Sequence, residues 1–172
     1  MHDKQKVVLS SLHEENEIVK MNYWLMKSEP ETFGIEHLKK RPKQTEPWDG
    51  VRNYQARNMM RDEMQVGDKA FFYHSNCAEP GIVGIVDIVK AGYPDVTALD
   101  PDSDYYDPKA SAENPRWFRV DVKFEKQFAQ TISLATLKQC PQLDGMAVLA
   151  RGSRLSITPV TKAQWDFIVS LA

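Results

Sequence analysis

The segment Trp48-Asp49-Gly50-Val51-Arg52-Asn53-Tyr54-Gln55-Ala56-Arg57-Asn58 brings together an indole, a phenol, two guanidiniums and three carboxamides, two of them from Asn. It contains little that a hydrophobic core would demand. An indole stacks on a flat ring, an Asn side chain offers a paired donor and acceptor, and Arg contacts phosphate or a base edge. Together these groups can hold one nucleobase. Trp48 lies between Pro47 and Asp49-Gly50, without an apolar neighbour on either side, so it reads either as a stacking wall or as a lid over the core. Stacking is worth roughly 1–3 kcal/mol per base, comparable with the few kcal/mol needed to extrude a base from a duplex. Because stacking tolerates every base, edge contacts must come from elsewhere. Lys27, Ser28, Glu29, Asp49, Asn53, His74 and Ser75 are the candidates. Tyr105 and Trp117 are candidates to close the pocket, and Arg52, Arg57 and Arg154 to contact phosphates.

Other chemistries find less support. His74-Ser75 are adjacent, but a triad needs a histidine aimed at the nucleophile and a third group orienting it, and no G-x-S-x-G elbow occurs. His74 and Cys77 form an H-x-x-C pair, whereas a zinc site takes three or four ligands. The remaining cysteine, Cys140, and the other histidines show no ligand spacing. The Asp-rich stretch from Asp95 to Asp107 lacks the EF-hand spacing and its terminal Glu. No phosphate-cradling glycine motif is present. The expectation is therefore no metal, no cofactor and no catalytic residue. Two other readings stay open: an enzyme acting on a nucleobase or small metabolite through Glu29, Asp49 or His74, and a small-molecule or protein-interaction module using the same pocket.

A net charge of −2 argues against coating nucleic acid through bulk electrostatics, but the charge is uneven. Seven basic residues between Lys39 and Arg61 face only Glu46 and Asp49, while Asp95 to Asp107 holds five Asp and no base. A basic face can attract phosphates while an acidic one discourages nonspecific coating. Two cysteines far apart make no disulfide framework, which implies a reducing compartment, read here as the cytoplasm. No apolar run approaches the roughly 20 residues of a membrane span. Oligomeric state is not legible.

These groups must be positioned by short elements. Residues 1–20 are polar and of mixed charge, and are expected to form a poorly ordered extension; the domain is expected over residues 21–172. Strands are expected at Asn22–Lys27, Lys69–His74, Gly81–Ala91, Trp117–Phe124 and Leu155–Pro159. The run Gly81–Ala91 is apolar on both faces over much of its length, which marks a central strand. A helix is expected over Glu31–Lys40 with Phe33, Ile35 and Leu38 inward. A second is capped by Asn53 and runs to about Met64 with Ala56, Met59, Met60 and Met64 inward. Ser133–Gln139 suggests one or two turns. A terminal helix starts at a Thr161/Gln164 capping box with Trp165, Ile168 and Val169 inward. Trp24 and Trp165 fall at core-periodic positions. The segment Gly92 to Pro115 is long for a structureless loop, and such loops are often functional. The sum is a small α+β domain on a curved antiparallel sheet or barrel.

Several motifs recur together in one family. Tyr23-Trp24-Leu25-Met26-Lys27-Ser28-Glu29-Pro30, the Trp48–Asn58 segment, Gly67-Asp68 and Phe72-Tyr73-His74-Ser75 resemble an EVE domain. So do Gly81-Ile82-Val83-Gly84-Ile85, Tyr105-Tyr106-Asp107-Pro108-Lys109, Pro115-Arg116-Trp117 and Leu155-Ser156-Ile157-Thr158-Pro159-Val160. The resemblance covers about residues 22–172. It implies a PUA-like fold, a small curved β-barrel with short helices around it. It also implies kinship with YTH domains, which read a methylated adenine in an aromatic cage. Lys27-Ser28 and Trp48-Asp49 are similar to that family's Lys-Ser and Trp-Ser elements, which carries Ser28 over as a pocket edge and Trp48 as a cage wall. Some eukaryotic members are linked to modified cytosines in DNA, and bacterial ones often accompany restriction or RNA modification. The resulting expectation is a non-enzymatic module that binds DNA or RNA carrying a modified base.

Overall fold

The computed structural model describes residues 21–172, so the expected N-terminal extension, residues 1–20, lies outside the described residues. The elements in chain order are β1 (Tyr23–Ser28), α1 (Pro30–Phe33), α2 (Ile35–Lys39), β2 (Thr45–Pro47), α3 (Tyr54–Asn58), β3 (Lys69–His74), β4 (Gly81–Pro94), β5 (Phe118–Ser133), α4 (Leu134–Lys138), β6 (Ile157–Val160) and α5 (Lys162–Leu171). The six strands form one mixed sheet in the order β2-β5-β4-β3-β1-β6. Only β1 and β3 pair in parallel; every other neighbour is antiparallel. The sheet bends through register shifts in β4–β5 but does not close, since β2 and β6 are its two edges.

Side chains alternate across a strand, and here both faces are covered. Trp24 and Met26 of β1, Ala70 and Phe72 of β3, and Val86 and Ile88 of β4 enter one apolar cluster with Ile35, Leu38, Met59 and Met60. Leu25, Phe71, Tyr73, Ile82 and Ile85 enter a second with Phe128, Leu137, Trp165 and Ile168. The doubly apolar pattern of Gly81–Ala91 follows from this central position. Trp24 and Trp165 are core residues as expected, at 4% and 6% exposure. The Trp24 indole N–H also donates to Asp68 (3.0 Å), a buried carboxylate that collects the backbone N–H of Asn22 and Gln65 as well.

Four expectations need correction. The helix expected over Glu31–Lys40 is two helices, because Gly34 is extended (ψ 174°) and its N–H is taken by the His37 Nδ1 atom at 2.8 Å. The Asn53-capped helix tightens into α3 and then widens to a π turn over Met59–Glu63, while its four inward residues are buried as expected. Strand β5 runs to Ser133, well past Phe124, because pairing with β4 holds a stretch whose charged residues obscured it. In α5 the capping box forms in both directions, but Val169 is exposed and Phe167 packs inward instead. Among the described residues, no helix is long and apolar enough to cross a membrane.

Candidate nucleobase-binding site

Parallel pairing of β1 with β3 brings their C-terminal ends side by side. Lys27 lies opposite Tyr73 and Ser28 opposite His74, and the chain continuing from β3 returns a bond from the Ser75 N–H to the Ser28 carbonyl (3.0 Å). The segment before β6 joins them through the Lys27 N–H to the Ser156 carbonyl (2.8 Å). The chain leaving β2 arrives from the other side, with the Trp48 N–H on the Val120 carbonyl (2.7 Å). These strand ends surround a cleft of about 1110 Å3 lined by Lys27, Ser28, Trp48, Asp49, Tyr105 and Arg154, among others.

Trp48 is both lid and wall. It is 7% exposed and meets Phe72 and Phe33 edge-on, with centroids 5.4 and 6.4 Å away, while its remaining accessible surface lines the cleft. Gly50 turns the chain beneath Tyr105 at φ 77°; a Cβ there would lie 2.5 Å from the Tyr105 ring. Glycine suits the positive φ, and any side chain there would have to displace the Tyr105 ring. Tyr105, 36% exposed, forms the outer wall.

Asp95 sets this turn, and its role was not legible in the sequence. Its side chain is fully buried and accepts from the Gly50 N–H (2.9 Å), the Arg52 Nη1 atom (3.1 Å) and Thr97. Burial pushes its carboxyl up, but the bonds from Thr97, Gly50 and Arg52 outweigh burial and hold it below the ordinary value. Asp95 sits far from the cleft segment in sequence, in a stretch that reads as a solvated acidic loop. Arg119 is a second residue missed by sequence reasoning. Its Nη1 atom lies 3.8 Å from Asp49 and 4.0 Å from Asp95.

The charges around the cleft are divided. Lys27 and Arg154 form no ion pair with any described residue, and burial pushes the Lys27 amine down. Asp49 and Glu46 line the same cleft. Burial pushes the Asp49 carboxyl up, Asp95 adds to that, and Arg119 and Arg52 oppose it. Glu46 is also pushed up by burial, despite its contact with Arg41 at 2.9 Å. Ser28 donates to the Phe33 carbonyl (2.6 Å), which leaves its oxygen lone pairs as acceptors. Glu29 accepts from Asn76 at 3.3 Å. Ser75 lines the cleft as well.

Other expected site residues stand elsewhere. His74 does not line the cleft. Its Nε2 atom accepts from the Ile35 N–H (3.1 Å), and burial lowers its pKa, so it is a neutral structural acceptor. Asn53 is outside too, with its side-chain oxygen capping α3 through the Ala56 N–H (3.0 Å). Arg52 does line the cleft, but its guanidinium spends every N–H internally, on Tyr105, Val51, Asp95 and Thr97, and none remains for a phosphate. Arg57 and Trp117 lie outside the cleft in a separate cluster with Tyr54. Much of the basic run is also neutralised locally, since Arg41 meets Glu46 and Arg61 meets Asp62. Among the described residues, no group of three or more metal-ligating side chains occurs.

The chain matches the EVE domain family over residues 22–171. It belongs to that family. Human thymocyte nuclear protein 1 is 48% identical over 167 residues, 87% of this chain and 73% of the human protein. The zebrafish (Danio rerio) protein of that name is 50% identical over 86% of this chain and 71% of its own length. Among solved structures, human THYN1 in complex with DNA containing 5-methylcytosine superposes with a TM-score of 0.82 at 48% identity, covering 87% of this chain and 96% of that one. A protein from Pseudomonas syringae superposes at 0.83 with 52% identity over 87% and 98%. The likeness extends through the whole EVE domain, so the α+β, PUA-like architecture is that of the family. The cytoplasmic expectation is overturned by these relatives, which are named as nuclear proteins. Sparse cysteine indicates only a reducing compartment, and the nucleus and the cytoplasm are both reducing.

Proposed function

We propose that this EVE-domain chain is a non-enzymatic DNA-binding module whose cleft holds a modified cytosine turned out of the strand. The observation that carries the reading is the preformed cleft lined by Trp48 and Tyr105, in which Lys27 and Arg154 form no ion pair with any described residue and Asp49 and Glu46 supply carboxylate acceptors. A cytosine presents its exocyclic amine and the acceptors N3 and O2 in sequence along one edge. In the cleft the amine meets the Asp49 carboxylate, the acceptors face Lys27, Trp48 and Phe33 supply apolar surface, and Arg154 at the rim contacts a phosphate. The 5-methyl group adds apolar area without altering the amine. Thymine carries a carbonyl where cytosine carries the amine, so it would oppose Asp49 with an acceptor.

A binder is favoured over an enzyme because His74, one of the three candidate acid/base groups, is held by the Ile35 N–H and does not line the cleft. The crystallised complex of the human relative with 5-methylcytosine DNA supports DNA as the polymer.

The test compares oligonucleotides that differ at one position, carrying 5-methylcytosine, cytosine or thymine. Wild type is expected to prefer 5-methylcytosine, and Asp49→Asn to lose most discrimination against thymine. Trp48→Phe keeps an apolar aromatic ring in the cluster while shrinking the surface that faces the cleft, and is expected to weaken binding with the fold retained at some cost in stability. Equal affinity of wild type for all three oligonucleotides would refute the proposal.

A further inference from the structure

A second aromatic and cationic cluster lies beside the cleft, and the needs of the core do not account for it. Tyr54, the first residue of α3, is 48% exposed and stacks on Trp117, with centroids 4.9 Å apart and planes at 21°. Trp117 itself is buried but belongs to neither apolar cluster. Its indole N–H donates to Asp107 at 2.7 Å, and the guanidiniums of Arg52 and Arg57 lie 5.3 and 5.9 Å from its centroid. The Arg57 guanidinium is 4.6 Å from the Tyr54 centroid. Arg57 donates only to neutral oxygens, those of the Asn58 side chain and the Arg116 carbonyl, and no carboxylate among the described residues lies within ion-pair distance of it, although Asp62 feels its charge.

Arg116 adds a costly feature. Its backbone is in the left-handed region at φ 61°, which a non-glycine residue occupies only when its surroundings hold it there. Its guanidinium donates to the Tyr54 hydroxyl and lies 3.7 Å from the Asp107 carboxylate, with which it pairs. The cluster also connects to the cleft. Arg52, against the Trp117 ring, donates to the carbonyl of Tyr105, the outer wall of the cleft, at 2.7 Å.

We propose that Tyr54, Trp117 and Arg57 form a second nucleic-acid contact: a platform on which a base neighbouring the one in the cleft stacks against Tyr54, while Arg57 neutralises an adjoining phosphate and Arg116, paired with Asp107, braces the Tyr54 hydroxyl. Exposed aromatic faces take any base, and guanidiniums contact phosphate without regard to sequence. The platform therefore supplies affinity and register, and the cleft supplies selectivity. This assignment rests on the reading of the cleft as a base site in a DNA strand.

The experiment uses the full chain, a fluorescent DNA strand of about a dozen nucleotides with one 5-methylcytosine, its unmethylated counterpart, and the free nucleoside 5-methyl-2′-deoxycytidine. Tyr54→Ala is expected to weaken both strands by about tenfold and by the same factor. Arg57→Gln is expected to lower the slope of log affinity against log salt by about one. Both variants should leave nucleoside binding unchanged. Both side chains are exposed or half-exposed, and circular dichroism checks that each variant is folded. If both variants bind the strands with wild-type affinity and salt slope, the platform assignment falls while the cleft reading stands. If wild type shows no preference for the methylated strand but both variants still weaken binding, the cleft reading falls and the platform stands. Failure of wild type to bind either strand overturns both.

Discussion

Trp48 and Trp117 are almost equally buried, at 7% and 6% exposure, yet they are held by different forces. Trp48 is wedged edge-on against Phe72 and Phe33 within an apolar cluster. Trp117 stacks on a phenol, has two guanidiniums 5.3 and 5.9 Å from its ring centroid and is tethered through its N–H to a carboxylate. Burial by itself therefore does not separate a structural tryptophan from one built for a ligand. What matters is which atoms meet its faces. The ring in the core also lines the cleft, whereas the ring outside the core lies under Tyr54 and the guanidiniums of Arg52 and Arg57.

The largest expected effect falls on the first of the two. Trp48→Ala removes a large side chain from a packed cluster and should cost about 3–5 kcal/mol. In a domain of this size that lowers the melting temperature by roughly 10 °C. A shift of only a few degrees in a thermal scan would mean that Trp48 is a detachable lid, and the contrast with Trp117 would disappear.

Asp95→Ala tests the residue that ties the two regions together. It strips the buried partner from Arg52 and from the Gly50 N–H, with an expected cost of about 2–3 kcal/mol. That is below the figure for a fully buried pair because Arg52 keeps some contact with water. Urea unfolding should show a lower midpoint at an unchanged slope. An unchanged midpoint would remove Asp95 as the link.

A smaller change belongs to the Trp117 side alone. Asn53→Ala takes the cap from α3, which carries Tyr54 and Arg57, and should cost about 1 kcal/mol. The variant is expected to lose strand affinity while nucleoside binding in the cleft is preserved; loss of nucleoside binding would show that the two regions are not separable.

Acid should separate the regions more gently. The pKa of His74 is lowered from its ordinary 6.5 by burial, so its contribution is complete above 6.5 and is lost as pH falls from there toward the folded value. His74 supports the Trp48 side through the Ile35 N–H and an edge-on contact with Phe72. Asp107, bonded to Trp117, is lowered from 3.8 chiefly by that bond, so its contribution is complete well above 3.8 and is lost as pH falls from there through the lowered value. Near-ultraviolet dichroism and stability measured from pH 7 to pH 3 should show the loss above pH 4 abolished in His74→Gln and retained in Asp107→Asn. The opposite assignment would reverse the comparison.

Much of the scaffold was legible because its signals are local. The Asn53 and Thr161 caps, the inward Ala56-Met59-Met60-Met64 stripe and the doubly apolar Gly81–Ala91 strand are each set by a few neighbouring residues, and all appear as expected. The far half of β5 was not legible, because its charged residues hide a strand that only pairing with β4 specifies. The candidate site was half legible. Lys27, Ser28, Trp48, Asp49, Tyr105 and Arg154 do share one cleft. His74, Asn53 and Arg52 have side chains suited to a base or a phosphate, but the fold engages them in its own hydrogen bonds first.

By itself, the sequence determined the residue types available for stacking and edge contacts, the membership of this chain in the EVE family, and most element positions, because caps, periodicity and motif order are written in nearby residues. Only the tertiary structure decided which of those residues stand together. The parallel β1–β3 pairing, the reach of Asp95 across to Gly50 and Arg52, and the removal of Arg57 and Trp117 to a separate platform all join residues distant in the chain. A side chain's chemistry is local, but whether its donors and faces remain free depends on what packing has already placed against them.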